Sequence, residues 1–299
     1  MDISKLKESL RGIAVTTVTP FKKELTQVDK QGIETNISYL KKEGVRLIVP
    51  CGNTGEFYSL SYSEWKDVVT TTKDAVKSSM TVLAGVGHSL PIAEDQIHHI
   101  KETGVDGIMV MYPQHVFVSE EGLLAYYRRI LEAAKGIGVV LYKKGGLLTD
   151  GVLEKLLDFS NLVAVKYAFG SIVDFSRTVN RLGKGIVWSC GTAERYVPFF
   201  WLAGAQGFTS GLGNFAPKIS QMMYDSLARG DYNEAMRVQK MITPFEDLRD
   251  GREKANNVPM VKAALDHLGL AGGDCRPPIH ILNPKERDNA VEAISNWGL

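Results

Sequence analysis

Short apolar runs alternate along most of the chain with longer stretches whose apolar residues recur every three or four positions. The first run, 12–20, is β-rich and stopped by Pro20, and 29–43 follows with Ile33, Ile37 and Leu40 at helical spacing. The same strand-then-helix order recurs as 47–49 with 62–79, 81–86 with 91–103, 107–111 with 119–134, and 138–142 with 150–159. It continues as 161–168 with 171–181, 186–190 with 193–202, and 207–210 with 217–229. Glycines at 44, 104 and 204 stand where helices should end. Eight such units predict an α/β fold, a (β/α)8 TIM barrel, since doubly wound sheets usually stop at about five or six strands.

From Asp231 onward the strands stop, and 232–243, 259–268 and 284–297 read as further helices, with Pro259 and Pro284 at or near first-turn positions. The predicted organisation is a barrel domain over 1–230 and a C-terminal helical appendage over 231–299. No low-complexity linker separates them, so the appendage is expected to pack on the barrel.

One of the strands carries a chemical anomaly. Asn161-Leu162-Val163-Ala164-Val165 leads directly into Lys166, a cation at the end of what reads as a buried parallel strand. In water a lysine titrates near 10.4, so only about one in 2,500 is the neutral amine that attacks carbonyls at pH 7. Burial in an apolar barrel lowers that value and makes Schiff-base chemistry available. The alternative is a lysine that snorkels to solvent or pairs with a carboxylate.

Active sites of such barrels lie at the C-terminal ends of the strands, where each apolar run gives way to a loop. The candidates there are Thr16, Thr17 and Thr19, 51–56, His88, Gln114 and His115, 142–144, Lys166 and Tyr167, 191–194, and Thr209 with Ser210. Gly52-Asn53-Thr54-Gly55-Glu56 is either an ordinary tight turn or a loop presenting backbone N–H groups to a carboxylate or phosphate. Glu56 reads as its anchor. Tyr142 ends one strand as Lys166 nearly ends the next, and a phenol beside an amine relays protons because its hydroxyl both donates and accepts. It reads equally as a rim aromatic. Lys143 and Lys144 read as solvated loop charges.

Composition narrows the partner. The 299 residues carry 35 basic and 34 acidic side chains, net +1, with no basic stripe for nucleic acid, so a small molecule is expected. Cys51, Cys190 and Cys275 are widely spaced and suggest neither a disulfide framework nor a metal site. No signal-type leader or apolar stretch of membrane length is present, and the reading is cytoplasmic with no membrane partner.

Taken together, Val18-Thr19-Pro20-Phe21, the 52–56 loop, Leu141-Tyr142, Val163-Ala164-Val165-Lys166, 207–214 and 259–265 resemble, in order and spacing, the dihydrodipicolinate synthase and N-acetylneuraminate lyase family. The resemblance spans nearly the whole chain. It implies a class I lyase in which Lys166 forms an imine with a 2-oxo acid, pyruvate or a 2-keto-3-deoxy sugar acid, for aldol cleavage, condensation or dehydration. By that likeness Lys166, Tyr142 and Thr54 are catalytic. Gly52, Asn53 and Thr54 hold the substrate carboxylate, Thr209 lends a carbonyl near the lysine, and Gly191 lines the substrate. The imine is the electron sink, so neither metal nor cofactor is implied, and a homo-oligomer, a dimer or a dimer of dimers, is.

The departures bear on the branch. The synthase branch, which condenses pyruvate with aspartate semialdehyde in lysine biosynthesis, usually has two threonines where Asn53-Thr54 stands and an arginine where Leu147 stands. It also lends a tyrosine from a neighbouring subunit, and here His115 or Tyr112 takes that place. The 55–60 stretch and Arg276-Pro277-Pro278 look more like the branch that dehydrates and decarboxylates 5-dehydro-4-deoxyglucarate, or related sugar-acid lyases. The remaining alternatives are 4-hydroxy-tetrahydrodipicolinate synthase and a barrel that binds a 2-oxo acid without turning it over.

Overall fold

The computed structural model of the chain describes residues 2–183, 185–192 and 194–299. Eight strands, β1 (Ile13–Val15), β2 (Leu47–Ile48), β3 (Thr81–Val86), β4 (Gly107–Val110), β5 (Gly138–Lys143), β6 (Leu162–Tyr167), β7 (Val187–Cys190) and β8 (Gly207–Ser210), follow one another in chain order as a closed barrel. Helix α1 (Ile3–Ser9) precedes them. Then α2 (Lys30–Lys42), α3 (Tyr62–Val76), α4 (Leu90–Thr103), α5 (Glu120–Ala133), α6 (Asp150–Glu154), α7 (Ile172–Leu182), α8 (Val197–Leu202) and α9 (Pro217–Ala228) follow successive strands. The chain finishes with α10 (Tyr232–Asp250), α11 (Asn257–His267) and α12 (Pro284–Ile294). The predicted α/β barrel with helices beyond it is the observed fold.

Two compact units divide the residues: the chain up to Ala14 with Thr81–Thr209, and Val15–Met80 with Ser210–Leu299. In the first, β3 to β8 pair in parallel, neighbour with neighbour. Every residue of β5 and β6 is buried, which is why both read as near-continuous apolar runs. Helix α1 has no counterpart in the predicted elements. Asp2 caps it by accepting from the N–H groups of Ser4 and Lys5, and its Leu6 lies where a side chain at Gly107 or Gly138 would otherwise be, so both strands begin on glycine.

In the second unit β1 and β2 pair in parallel through Val15 and Ile48. Asn36 of α2 exchanges two hydrogen bonds with the backbone of Ala271, at 2.7 and 2.9 Å. Phe215, Phe245 and Trp297 stack into one aromatic cluster, with ring centroids 5.1 to 6.1 Å apart. The late helices are therefore packed around a cluster they share with Phe215, ahead of α9.

Helix ends depart from the predicted ones for local reasons. Helix α6 stops at Glu154 rather than 159, because Leu156, Leu157 and Phe159 each bond three residues back, in tight turns. Helix α10 runs seven residues past 243, straight through Pro244. Its buried face of Val238, Ile242, Phe245 and Arg249 outweighs the one missing N–H, and the Thr243 hydroxyl donates to the Gln239 carbonyl one turn back. A 3-10 turn at Glu194–Tyr196 leads into α8; the predicted start at 193 lies outside the described residues. Gly104 ends α4 in the left-handed conformation, as its place in the sequence requires.

Candidate active site

Strand register brings the two leading candidates together. Tyr142 of β5 and Lys166 of β6 are direct partners across the parallel pair, so their side chains leave the sheet on one side. The Lys166 ammonium position is 4.4 Å from the centroid of the Tyr142 ring. Both are buried, at 5% and 4% exposure. Burial pushes the Lys166 amine down to about 7, the nearby Lys144 ammonium adds to the push, and the Cys190 thiol opposes it. The snorkelling alternative does not describe this lysine. Near neutral pH a large fraction of it is the neutral amine.

The sheet continues from β6 into β7 and β8. Lys166 is in register with Ser189 of β7, and Thr209, buried on β8, sets its hydroxyl 3.4 Å from the Cys190 carbonyl. Gly191, predicted to line the substrate, has a more specific part: a Cβ there would lie 2.7 Å from Lys166 Cγ and 3.1 Å from both Ala168 Cβ and the Tyr167 carbonyl. The glycine is the space in which the lysine stem lies. A Gly191→Ala variant is therefore expected to displace the stem, cost about 1–3 kcal/mol of stability, and slow imine formation with pyruvate roughly tenfold or more. Borohydride trapping read by mass, beside a thermal melt, checks this; trapping at the parent rate would show that the stem needs no such space.

Alternation along β5 sends Lys143 the other way. It is buried, not solvated as predicted: its ammonium donates to the Leu148 carbonyl and lies 5.4 Å from the Tyr167 ring centroid. Burial holds that amine below its ordinary range, against the pull of Asp150 and Asp174. Lys144 is exposed, as expected. After β4, Tyr112 is half-buried, with its ring where a side chain at Gly145 would be, and burial raises its phenol while a bond from the Leu147 backbone lowers it. His115 is exposed, and its Nδ1 accepts from the Phe117 N–H at 3.1 Å. Of the two, it is Tyr112 that sits against the β5 loop.

In the second unit the 52–56 loop is a built feature and not a loose turn. Glu56 N–H donates to the Asn53 carbonyl at 3.0 Å, Phe57 N–H to the Gly52 carbonyl at 3.2 Å, and the Thr19 hydroxyl to the Gly55 carbonyl at 2.8 Å. Only glycine fits at 55, where a Cβ would be 2.9 Å from the Thr17 carbonyl. Thr54 is buried and Asn53 half-buried. Glu56, in the left-handed region at φ 55°, anchors the loop as predicted: its carboxylate pairs with Lys262 of α11 at 2.6 Å and accepts from the Arg276 N–H at 2.9 Å.

That clamp went unassigned in the sequence. The Lys262 ammonium also donates to the Asp274 carbonyl at 3.0 Å, and Arg276 holds Glu64 through two bonds of 2.8 and 2.5 Å. Both cations lie over the Phe21 ring, at 4.7 and 4.1 Å from its centroid. A signal for it existed, since Lys262 interrupts an apolar helical run just as Lys166 ends an apolar strand. Among the described residues no three His, Cys, Asp or Glu side chains gather as metal ligands would.

A buried, partly neutral lysine beside a tyrosine on the strands of a parallel barrel is the arrangement that an imine-forming lyase needs. Known proteins agree and narrow the class. The sequence profile of the dihydrodipicolinate synthetase family matches residues 9–297, and the chain belongs to that family. It is 32% identical over 275 residues to a 4-hydroxy-tetrahydrodipicolinate synthase of Methanothrix thermoacetophila, covering 90% of each chain. It is 29% identical over 299 residues to a probable 5-dehydro-4-deoxyglucarate dehydratase of Bacillus subtilis, covering 98% of this chain and 95% of that one. The crystal structure of dihydrodipicolinate synthase from Oceanobacillus iheyensis superposes with a TM-score of 0.94 at 34% identity, covering 99% of both. The protein is a class I lyase of this family, and its relatives there are named as synthases and as probable dehydratases.

Proposed function

We propose that the protein uses Lys166 to form an imine with the ketone of a 2-keto-3-deoxy sugar acid and dehydrates it, 5-dehydro-4-deoxyglucarate being the leading substrate. The observation that carries the lysine's role is its amine, held near pH 7 by burial and seated over the Tyr142 ring. The neutral amine attacks the carbonyl carbon, Tyr142 passes a proton to the departing hydroxyl, and water leaves as the iminium forms. The Tyr142 phenolate then takes a proton from the adjacent carbon while the iminium accepts the electron pair left behind; that pair expels hydroxide from the next carbon, which takes the proton back from Tyr142 and leaves as water, and hydrolysis of the imine by water frees the product and the amine. The family likeness supports assigning the substrate carboxylate to Gly52, Asn53 and Thr54, with Thr54 in the proton relay and Thr209 beside the lysine. No cofactor or metal enters this scheme.

Two features favour the sugar-acid branch over synthase activity. Leu147 stands where the synthase branch carries its carboxylate-binding arginine, and Asn53 replaces a relay threonine. The synthase named among the relatives keeps that activity as the second reading. A homo-oligomer in the cytoplasm, with the helices from 231 onward as an appendage to the barrel, completes the reading; no helix among the described residues is long and apolar enough to cross a membrane.

The test is borohydride trapping with pyruvate and with 2-keto-3-deoxy sugar acids across pH. An adduct at Lys166 is expected, with a trapping rate that climbs as pH rises through about 7, where the amine loses its proton, and levels off above about 8. Absence of any adduct would sink the imine, and turnover of pyruvate with aspartate semialdehyde, but of no sugar acid, would move the protein to the synthase branch.

A further inference from the structure

Three features converge just past Tyr142. The ladder continues beyond β5, with Ala168 N–H donating to the Lys143 carbonyl at 2.9 Å, so the alternation of side chains persists to the next residue. Tyr142 faces Lys166, Lys143 is tied to the opposite side by the Leu148 carbonyl, and the same alternation carried one residue past β5 returns Lys144, an exposed residue, to the side of Tyr142. The two residues after it are glycines with rings laid against them, Tyr112 on Gly145 and, 3.3 Å from a Cβ at Gly146, Phe169. A cation therefore stands at the rim beyond the amine, in a loop flanked by aromatic faces.

We infer that Lys144 is the specificity-determining cation of this site, binding the distal carboxylate of a dicarboxylic 2-oxo sugar acid whose ketone carbon is held by Lys166. This deepens the imine reading and rests on it. Charge chemistry favours a diacid. Lys166 and Lys144 are close enough for the ammonium of one to disfavour that of the other, and the iminium is again a cation, so an anion beside Lys144 relieves a repulsion that a neutral terminus leaves in place. The titratable groups acting on the amine in the first unit are Lys144 from the β5 loop and Cys190 from β7, with the Tyr142 phenol beside it on β5. Leu147, three residues on, supplies no charge in the place where the synthase branch carries its arginine. Lys144 supplies it from earlier in the same loop.

The probes are 5-dehydro-4-deoxyglucarate and 2-keto-3-deoxygluconate, which differ in a terminal carboxylate against a hydroxymethyl group. The readout is the concentration giving half-maximal borohydride trapping, taken at pH 9 so that Lys166 is neutral in every variant. The parent protein is expected to trap the diacid at roughly tenfold lower concentration. Lys144→Met should abolish that preference without weakening the monoacid, which is freed of the Lys144 repulsion, and Lys144→Arg should restore it. Lys144→Met should also shift the acid limb of pyruvate trapping to higher pH, a shift that a merely structural role would not produce. A parent that traps both acids equally, or a Met variant that keeps the preference or weakens both acids alike while still trapping pyruvate, would overturn the role of Lys144 alone. A parent that traps no 2-oxo acid would overturn the imine and this role together.

Discussion

A Lys166→Met variant is expected to trap no 2-oxo acid and yet to unfold at a higher temperature than the parent protein. The two outcomes have one cause. Holding this amine near 7 instead of its ordinary 10.5 means that the folded state disfavours the ammonium by an amount of the order of 5 kcal/mol. The sign follows from linkage: below about pH 7 the lysine is charged in both states and the folded protein bears the whole cost. Between about 7 and 10.5 the unfolded chain holds the proton that the folded one has released, so the cost shrinks as pH rises and is gone near the unfolded value. Methionine fills the stem's space in the barrel without a charge. Allowing for imperfect packing, a gain of roughly 1–3 kcal/mol at pH 6 is expected, a few degrees in Tm, shrinking towards zero by about pH 10. Turnover should fall by roughly three to six orders of magnitude, the scale on which loss of a covalent nucleophile acts. Paired melts at pH 6 and pH 9 check it. A variant less stable than the parent at pH 6, or gaining as much at pH 9, would mean that the amine is not held under strain.

The barrel was legible because each of its strands is wholly or almost wholly buried while α2, α3, α4, α5 and α7 each bury one apolar stripe, so the period of the apolar residues changes from element to element. Helix ends were less so, since they depend on contacts far along the chain: α10 passes Pro244 because its buried face holds it, and nothing local announces that. The same limit applied to the site. Lys166 and Tyr142 could be read because a cation and a phenol end adjacent apolar strands. The part of Gly191 could not, as it depends on a lysine 25 residues earlier that only strand register brings alongside. Lys143 was misread for want of one step: in a strand buried on both faces, the neighbour of an inward residue faces the helix layer and not solvent. Lys262 carried the same signal as Lys166, a lone cation in an apolar run, but its partner Glu56 lies 206 residues away. Such a cation says only that a partner exists.

Removing that partner should show how strongly the 52–56 loop depends on α11. The Lys262 and Glu56 side chains are 1% and 0% exposed, so neither can fall back on water. Lys262→Met leaves the Glu56 carboxylate with the Arg276 N–H and the Cys275 thiol but no countercharge paired to it, and Glu56→Gln leaves the ammonium with the Asp274 carbonyl and the Phe21 ring. Each single change is expected to cost about 3–5 kcal/mol, roughly 5–15 °C in Tm, because it strands a buried charge. The double variant should cost clearly less than the sum, since removing both charges together leaves none stranded, and the cycle should show a coupling of roughly 2 kcal/mol or more. Single variants that add without coupling would mean that the pair is not what holds the loop. The functional consequence separates the loop from the amine: if 52–54 bind the substrate carboxylate, the surviving double variant should need a higher 2-oxo acid concentration for half-maximal trapping. Its acid limb should stay near pH 7, because the groups that set the Lys166 amine are Lys144 and Cys190 and the burial of β6 itself.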